Sequence, residues 1–426
     1  MNQADTAWML MSTALVLLMT PALAFFYGGL VRSKNALNTM MMSFISLGFV
    51  GVLWALLGYS LAFTTGNDWL GDTSNAFLSG VGLEAKGTIP HALFMAFQGT
   101  FAIITAALIS GAIVERMRFS AYVVFISLWA VVVYSPIAHW VWGGGWLAKM
   151  GALDFAGGTV VHVNAAVAAF AAVLAVGKRH GYGGQTSIVP HNVPFVLLGS
   201  GLLWFGWFGF NSGSALAASP IAGLAFVTTM LAPAGTLVVW TLLDAVRGGK
   251  PTAVGAATAI VVGLVAVTPA AGFVSPLNAL ILGGIAAIPS YFAIQLRAKT
   301  SLDDSLDVIA AHGVGGTVGA LLTGVFAQKS INTLADGLLY GNPGQLLIQG
   351  TAVLAAIVYS GVASFVLLKL IGLVIPLTAT TVEQVEGLDI SAHGEEAYMA
   401  ASGAAMLESS ISRHAEPSLK PVRNEV

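Results

Sequence analysis

Apolar runs long enough to cross a lipid bilayer recur along almost the whole sequence. A hydrocarbon core about 30 Å thick needs about 20 apolar residues of helix. Charged residues make up only 8% of the 426 residues, against about 25% in a typical soluble domain. The sequence therefore predicts an all-α polytopic membrane protein with eleven transmembrane helices. The runs fall at residues 7–28, 40–64, 91–113, 120–140, 158–177, 193–214, 221–243, 253–272, 277–296, 307–327 and 346–374.

The first of these runs resembles a signal peptide, because Ala22-Leu23-Ala24 could pass as a cleavage site. However, the residues before it contain Asp5 and neither lysine nor arginine, and the run is long enough to span a membrane. We therefore expect a first helix that is retained.

Lysine and arginine are distributed unequally between alternate loops. Cytoplasmic loops of membrane proteins carry the excess of positive charge. Ten basic residues in one set of loops against three in the other therefore predict an external N-terminus and a cytoplasmic C-terminus. The larger set is Arg32, Lys34, Arg116, Arg118, Lys178, Arg179, Arg247, Lys250, Arg297 and Lys299, and the smaller set is Lys86, Lys149 and Lys329.

Two Asp-x7-His segments place a carboxylate and an imidazole in sequence that is otherwise typical of membrane helices. They are Asp154 with His162, and Asp304 with His312. Eight residues of helix rise about 12 Å, so an aspartate at the membrane edge places its histidine near mid-depth. In the predicted orientation the fifth helix runs inward and the tenth outward, so the histidines converge from opposite sides.

This convergence is typical of inverted-repeat transporters, whose sites lie at the repeat interface near the bilayer midplane. We expect inverted halves of five helices each at about 7–177 and 193–327. The eleventh helix, 346–374, lies outside the repeat. The transmembrane domain is predicted to cover residues 1–376, and a cytoplasmic tail to cover 377–426.

Ionisable residues inside a membrane are costly and by default functional. A neutral imidazole donates from one nitrogen and accepts at the other, so His162 and His312 could share or relay a proton. The alternatives are a packing role, with each histidine bonded to a backbone carbonyl, and metal binding, for which the pair lacks a third ligand nearby. Asp154 and Asp304 suit helix capping, and a carboxylate near a pore mouth would also favour cations.

Aromatic residues with one hydroxyl form a candidate cation site. Trp142 precedes three glycines, Phe101 lies within the third run, and Phe210 and Ser214 lie at the end of the sixth. Aromatic faces attract a small cation. The alternative is an aromatic belt at the membrane interface.

At these residues the sequence resembles the ammonium transporter (Amt/Mep/Rh) family, and the bacterial Amt branch more than the Rh branch. The resemblance runs from about residue 5 to residue 400. The matching segments are residues 26–35, 98–101, 154–162, 207–214, 303–315 and 387–398.

The resemblance implies an eleven-helix homotrimer with one narrow pore through each subunit. Trp142, Phe101 and Ser214 would form the outer recruitment site for ammonium or methylammonium, and Asp154 would organise that site. Phe101 and Phe210 would stack as a gate above the pore.

The resemblance also implies roles below the gate. His162 and His312 would be the paired pore histidines, and Trp207 would line the lower pore. Thr258 stands where the family has a serine on the cytoplasmic side. Asp304 would have a structural, orienting role.

The tail resembles the regulatory C-terminus of the family, which packs on the cytoplasmic face and couples subunits. The resemblance implies a possible PII-type signal protein as partner, although Ala392 stands where an acidic residue is common. The last twenty or so residues are expected to be disordered because they are polar and poor in aromatic residues.

We therefore expect an ammonium transporter in the cytoplasmic membrane of a bacterium, surrounded by membrane lipid, with no cofactor and no metal. Potassium would be excluded by desolvation, whereas ammonium can lose a proton and cross as ammonia. The alternatives are an ammonium sensor that barely conducts and an Rh-like gas channel. An enzyme is disfavoured, because no nucleophile–base pair or phosphate loop is present. With a net charge of −2, the chain shows no signal for nucleic acid.

Overall fold

Eleven apolar helices form the body of the protein in a computed structural model that describes residues 1–183 and 188–398. Ten of them are long and apolar enough to cross a membrane, and the eighth, with 15 residues, is shorter. They are α1 (Gln3–Leu30), α2 (Ser33–Phe63), α3 (His91–Ser110), α4 (Phe119–Met150, interrupted at 142–145), α5 (Gly158–Val176), α6 (Val193–Ser212), α7 (Pro220–Arg247), α8 (Ala253–Val267), α9 (Pro276–Arg297), α10 (Ile309–Phe326) and α11 (Gly344–Gly372).

Helix α8 ends at Val267, earlier than the apolar run 253–272 predicts. Pro269 accounts for the difference, because it lacks an N–H and restricts the residue before it. The turn that follows accepts a hydrogen bond at the Pro269 carbonyl from the N–H of Phe155, at 3.1 Å. The C-terminal end of α8 therefore lies against the segment that precedes α5.

Helices α7 and α9 both begin at a Ser-Pro pair. The side chains of Ser219 and Ser275 accept hydrogen bonds from the backbone N–H groups of Ala222 and Asn278. Serine is a favoured N-cap, and proline suits the first helical position because its missing N–H would have no partner there. These starts follow directly from the sequence.

Small residues allow close helix packing. A Cβ atom on Gly283 of α9 would lie only 2.0 Å from the Ala232 carbonyl oxygen of α7. Corresponding helices of the two predicted halves also contact each other, α1 against α6 and α5 against α10. The inverted relation of the halves stays a prediction.

In the described part of the chain, five wide, π-helical turns begin, interrupt or end long helices. Such turns are rare and occur frequently at functional sites. The first turns of α5 and α10 are both of this kind, and each carries one of the two histidines. The five turns are Trp54–Gly58, Ala130–Tyr134, Gly158–Val163, Phe208–Ser212 and Ile309–Val314.

The two ends of the bundle carry different structures. At one end a short hairpin of β1 (Ala85–Lys86) and β2 (Ile89–Pro90) precedes α3. At the other end lie two short tail helices, α12 (Thr381–Glu386) and α13 (Leu388–His393), and α13 packs against both α12 and the start of α2. The predicted disorder of the last twenty residues falls in 399–426, outside the described residues.

Candidate functional site

Two histidines meet in the interior of the bundle. The Nδ1 atoms of His162 and His312 lie 3.2 Å apart, and the ring planes are inclined by 28°. Both side chains are buried. Because an imidazolium donates from both nitrogens, this hydrogen bond requires an unprotonated Nδ1 on one ring. The pair can therefore hold one shared proton.

The two aspartates hold the starts of the histidine helices. The carboxylate of Asp154 accepts four backbone hydrogen bonds, from residues 157–160. The carboxylate of Asp304 accepts two, from Val308 and Ile309. Both carboxylates therefore cap helices. The backbone carbonyl of Asp154 also accepts a hydrogen bond from the indole Nε1 of Trp142 at 2.8 Å, which fixes this ring.

Trp207 lies beside the histidine pair. Its ring stacks on His162, with centroids 5.4 Å apart and planes inclined by 24°. The indole Nε1 donates to the hydroxyl of Thr268 at 2.9 Å, and that hydroxyl donates to the carbonyl of Leu264 at 2.7 Å. Thr268 was not among the residues predicted from the sequence. Its only signal is a hydroxyl that precedes Pro269 within an apolar run.

Phe101 and Phe210 form a stacked pair on one side of the histidines. Their ring centroids are 4.1 Å apart, with planes inclined by 22°. Trp142 meets Phe101 edge to face at 6.0 Å. The hydroxyl of Ser214 donates to the carbonyl of Phe210 at 2.8 Å. The structure therefore brings the predicted aromatic and serine residues together.

Phe101, Trp142 and Ser214 border a cavity of about 270 Å³, which we name the aromatic vestibule. It is concave, as small-molecule sites usually are, and the polar side chains of Gln98 and Ser214 lie among its apolar and aromatic residues. Its lining is Phe63, Phe94, Gln98, Phe101, Val141, Trp142, Phe155, Ser214 and Leu216. The carboxylate of Asp154 does not contribute to it.

Beyond the phenylalanine pair the path narrows to a space of about 10 Å³, which we name the constriction. This is the lower limit for holding one water molecule. His162 Nε2 is buried here without a hydrogen-bond partner among the described residues. The lining is Met19, Leu23, Phe26, Ile104, Leu108, Val161, His162, Leu203, Trp207, Phe210, Val261 and His312.

A larger cavity of about 500 Å³, the polar vestibule, lies on the far side of the histidines. Phe26, Val261 and His312 line both this cavity and the constriction. Thr258 borders it, with its hydroxyl donating to the Val254 carbonyl. Two vestibules and a narrow, ring-lined space therefore follow one another through the bundle.

The geometry bears on the two other roles that the sequence left open for the histidines, which are packing by a bond to a backbone carbonyl and metal binding. In the described part of the chain the Nδ1 atoms bond to each other and not to backbone carbonyls. Within that same part, no group of three or more histidine, aspartate or glutamate side chains is arranged to hold a metal ion.

The fold and the site define a multi-pass membrane protein of the transporter or channel class, with a narrow path between two vestibules. The family model of the Ammonium Transporter Family matches residues 7–398, and the chain belongs to this family. Members are named as transporters, and the protein is accordingly a membrane transporter and not an enzyme.

Individual relatives agree with this assignment. An ammonium transporter of Bacillus subtilis is 47% identical over 403 residues, which cover 93% of this chain and 99% of the relative. The structure of Candida albicans Mep2 has a TM-score of 0.85 and 34% identity, covering 99% of this chain and 93% of that one. A structure described as a sensor Amt protein has a TM-score of 0.86 and 30% identity, covering 92% and 98%.

Proposed function

We propose that this protein transports ammonium across the cytoplasmic membrane of a bacterium, as a homotrimer with an external N-terminus and a cytoplasmic tail. The transported cation would enter from the aromatic vestibule and leave as ammonia through the polar vestibule. The observation that carries the proposal is the series of two vestibules joined by a ring-lined constriction that contains the histidine pair.

Recruitment takes place in the aromatic vestibule. Phe101 and Trp142 offer aromatic faces and Ser214 a hydroxyl oxygen, which suit ammonium or methylammonium. Asp154 acts from a distance, because its carboxylate holds the start of α5 and its carbonyl fixes the indole of Trp142. The stacked Phe101 and Phe210 close the vestibule toward the constriction and act as a gate.

Deprotonation accompanies entry to the constriction. An ion loses its hydration shell there, and the rings offer no set of carbonyl oxygens to replace it. Potassium cannot shed its charge and is excluded. Ammonium gives up a proton and crosses as neutral ammonia past Trp207 and Val261, to leave beside Thr258.

The proton follows through the histidine pair. His162 and His312 share one hydrogen bond between their Nδ1 atoms, at 3.2 Å, so a proton taken up at one ring can be released from the other. His312 borders the polar vestibule, which gives the proton an exit. Transport by this route carries one net charge for each ammonium.

The test is current on a solid-supported membrane that carries the reconstituted protein. An ammonium jump should give a saturating current, and a potassium jump should give none. The double variant His162→Ala, His312→Ala should lose the current or its selectivity. His180→Ala is the matched control, because it removes an exposed imidazole outside the constriction and should conduct as the wild type does.

Two outcomes would contradict the proposal. A potassium current as large as the ammonium current would exclude selection by deprotonation. Internal alkalinisation without any current would mean that neutral ammonia crosses alone, as in an Rh-like gas channel.

A sensor is the second candidate, favoured by the similarity to the structure described as a sensor Amt protein. A sensor would bind ammonium and change its tail while carrying neither current nor ammonia. The tail, 377–426, would report ammonium binding to other proteins. A PII-type signal protein is the proposed partner of the tail whether the protein is a transporter or a sensor. If well-folded wild-type trimers bind ammonium but show no ammonium flux, the sensor is favoured.

A further inference from the structure

A second aromatic box lies beside the aromatic vestibule and is occupied by the chain's own lysine. The Nζ atom of Lys86 is 4.8 Å from the ring centroid of Phe94 and 5.3 Å from that of Tyr59. It also donates to the Tyr59 hydroxyl at 3.0 Å and to the Phe63 carbonyl at 3.5 Å. A primary alkylammonium group surrounded by aromatic faces and oxygen atoms is the chemistry of a site for small ammonium cations.

This box shares two of its walls with the aromatic vestibule. Phe63 and Phe94 line the vestibule and also contact the Lys86 ammonium group. On α3, Phe94 lies on the same face as Gln98 and Phe101, four and seven residues further along. The charge of Lys86 is therefore separated from the vestibule by a single layer of rings.

A chain of hydrogen bonds holds the lysine in this position. Lysine can only donate and an ionised glutamate can only accept, so with a neutral His91 the direction of the chain is fixed. Lys86 donates to the Tyr59 oxygen, Tyr59 donates to His91 Nε2 at 2.5 Å, and His91 Nδ1 donates to Glu84 at 2.8 Å. Three side chains, those of Tyr59, His91 and Glu84, thus hold the Lys86 ammonium group beside the vestibule.

We propose that Lys86 determines the cation affinity of the aromatic vestibule, by filling the Tyr59–Phe63–Phe94 box with a fixed positive charge. The charge repels a cation in the vestibule and lowers its occupancy, while the steps at the gate and the histidines stay unchanged. Lys86 is thus an affinity-determining residue outside the path itself. This inference rests on the proposed recruitment of ammonium in the vestibule.

The test separates charge from shape. Lys86→Met keeps much of the side chain and removes its charge, whereas Lys86→Arg keeps the charge. We expect KM for ammonium to fall three- to tenfold in Lys86→Met with an unchanged maximal current, and to stay at the wild-type value in Lys86→Arg. The matched control is Lys149→Met, since Lys149 is an exposed lysine paired with Asp68 and does not line the vestibule.

The dependence of KM on salt distinguishes an effect of the Lys86 charge from a purely structural role of this residue. Raising the ionic strength screens partly exposed charges, so the difference in KM between wild type and Lys86→Met should shrink. A KM in Lys86→Met within twofold of wild type, or an equal shift in Lys149→Met, would overturn the inference.

Calorimetric titration of the purified wild type and variants with ammonium tests the role of Lys86 in binding independently of transport. Tighter binding by Lys86→Met than by wild type supports the role of Lys86 even if no current is found. Equal binding overturns it even if the wild-type protein transports ammonium.

Discussion

A single hydroxyl holds the indole that stacks on the histidine pair. The Nε1–H of Trp207 is buried and donates to Thr268, which lies where α8 ends. A buried donor that loses its partner costs about 1–3 kcal/mol. The position of the ring beside His162 therefore depends on a residue that does not line the constriction.

Replacing Thr268 tests this dependence. Thr268→Val keeps the shape of the side chain but leaves the indole N–H without an acceptor, so we expect a loss of stability of about 1–3 kcal/mol. The maximal ammonium current should also fall, because the indole is no longer fixed against His162. Thermal unfolding in detergent and current measurements would check this. Thr268→Ser keeps the hydroxyl and should behave as wild type, and equal behaviour of the two variants would contradict the prediction.

The residues that the sequence identified and those it missed differ in a physical way. His162 and His312 were predicted because an imidazole in an apolar helix has few structural reasons to be there. Thr268 and Lys86 were missed because a hydroxyl near a proline and a lysine in a polar loop are ordinary. Their importance comes from the partners that the fold brings to them.

At the scale of helices, the Asp-x7-His spacing predicted capping and burial but not local geometry. Asp154 and Asp304 cap their helices, as the sequence suggested. The π-helical first turns of α5 and α10 could not be predicted, because such turns are rare and no residue pattern in the two segments marks them. Helix α8 shows the opposite case, since Pro269 was visible in the sequence and marks its end.

Buried ion pairs fasten the loops at the tail end of the bundle. Glu115 is completely buried between Arg32 and Arg179, with nitrogen–oxygen distances of 2.8 and 2.7 Å. Arg179 in turn bonds to Asp303, which precedes α10. Burial raises the pKa of Glu115, but the two arginines and the Asn35 amide outweigh it and hold the pKa below its ordinary value of 4.5.

Glu115→Gln should therefore destabilise the protein in a pH-dependent way. Breaking a buried ion pair costs about 3–5 kcal/mol. Because the folded-state pKa is lowered, the stabilisation by Glu115 is complete above pH 4.5 and is lost as the pH falls through the lower value. Unfolding temperatures should differ most near pH 7 and converge below pH 4.5. The exposed Glu386→Gln is the control, and a pH-independent difference for Glu115→Gln would contradict the prediction.

The carboxylate of Asp389 forms one of the contacts by which the tail docks on α2. Asp389 accepts hydrogen bonds from the backbone N–H groups of Leu37 and Asn38, at 3.0 and 2.7 Å. The N–H of Leu388 donates to the side chain of Asn35 at 2.8 Å. The carboxylate thus acts as a cap supplied from a distant part of the chain.

Asp389→Ala should release this contact. Loss of a cap costs about 0.5–2 kcal/mol, so the amides of Leu37 and Asn38 and those of α13 should exchange hydrogen faster. Hydrogen–deuterium exchange of the detergent-solubilised protein would measure this. Glu386→Ala, an exposed change in the same tail, should leave exchange unchanged. Unchanged protection at α2 in Asp389→Ala would show that other contacts hold the tail.

For the whole molecule, the unequal distribution of basic residues matches the two ends of the bundle. Lys34 and Arg118 bond directly to the tail, through the Gln384 and Val385 carbonyls and the Glu383 carboxylate. The tail and part of the basic set therefore share one end. The helical fold could be predicted because apolar length and charge are local properties of the sequence, whereas the contacts between loops depend on the folded bundle.

The predicted orientation can be tested directly, because the chain contains no cysteine and labelling has no background. Lys149 is exposed at the end opposite the tail, and Lys250 is exposed in the α7–α8 loop. In intact cells stripped of any outer barrier, Lys149→Cys should react with a membrane-impermeant maleimide. Lys250→Cys should react only after the membrane is permeabilised, because basic loops remain in the cytoplasm. The reverse pattern would overturn the predicted orientation, and the aromatic vestibule would then face the cytoplasm.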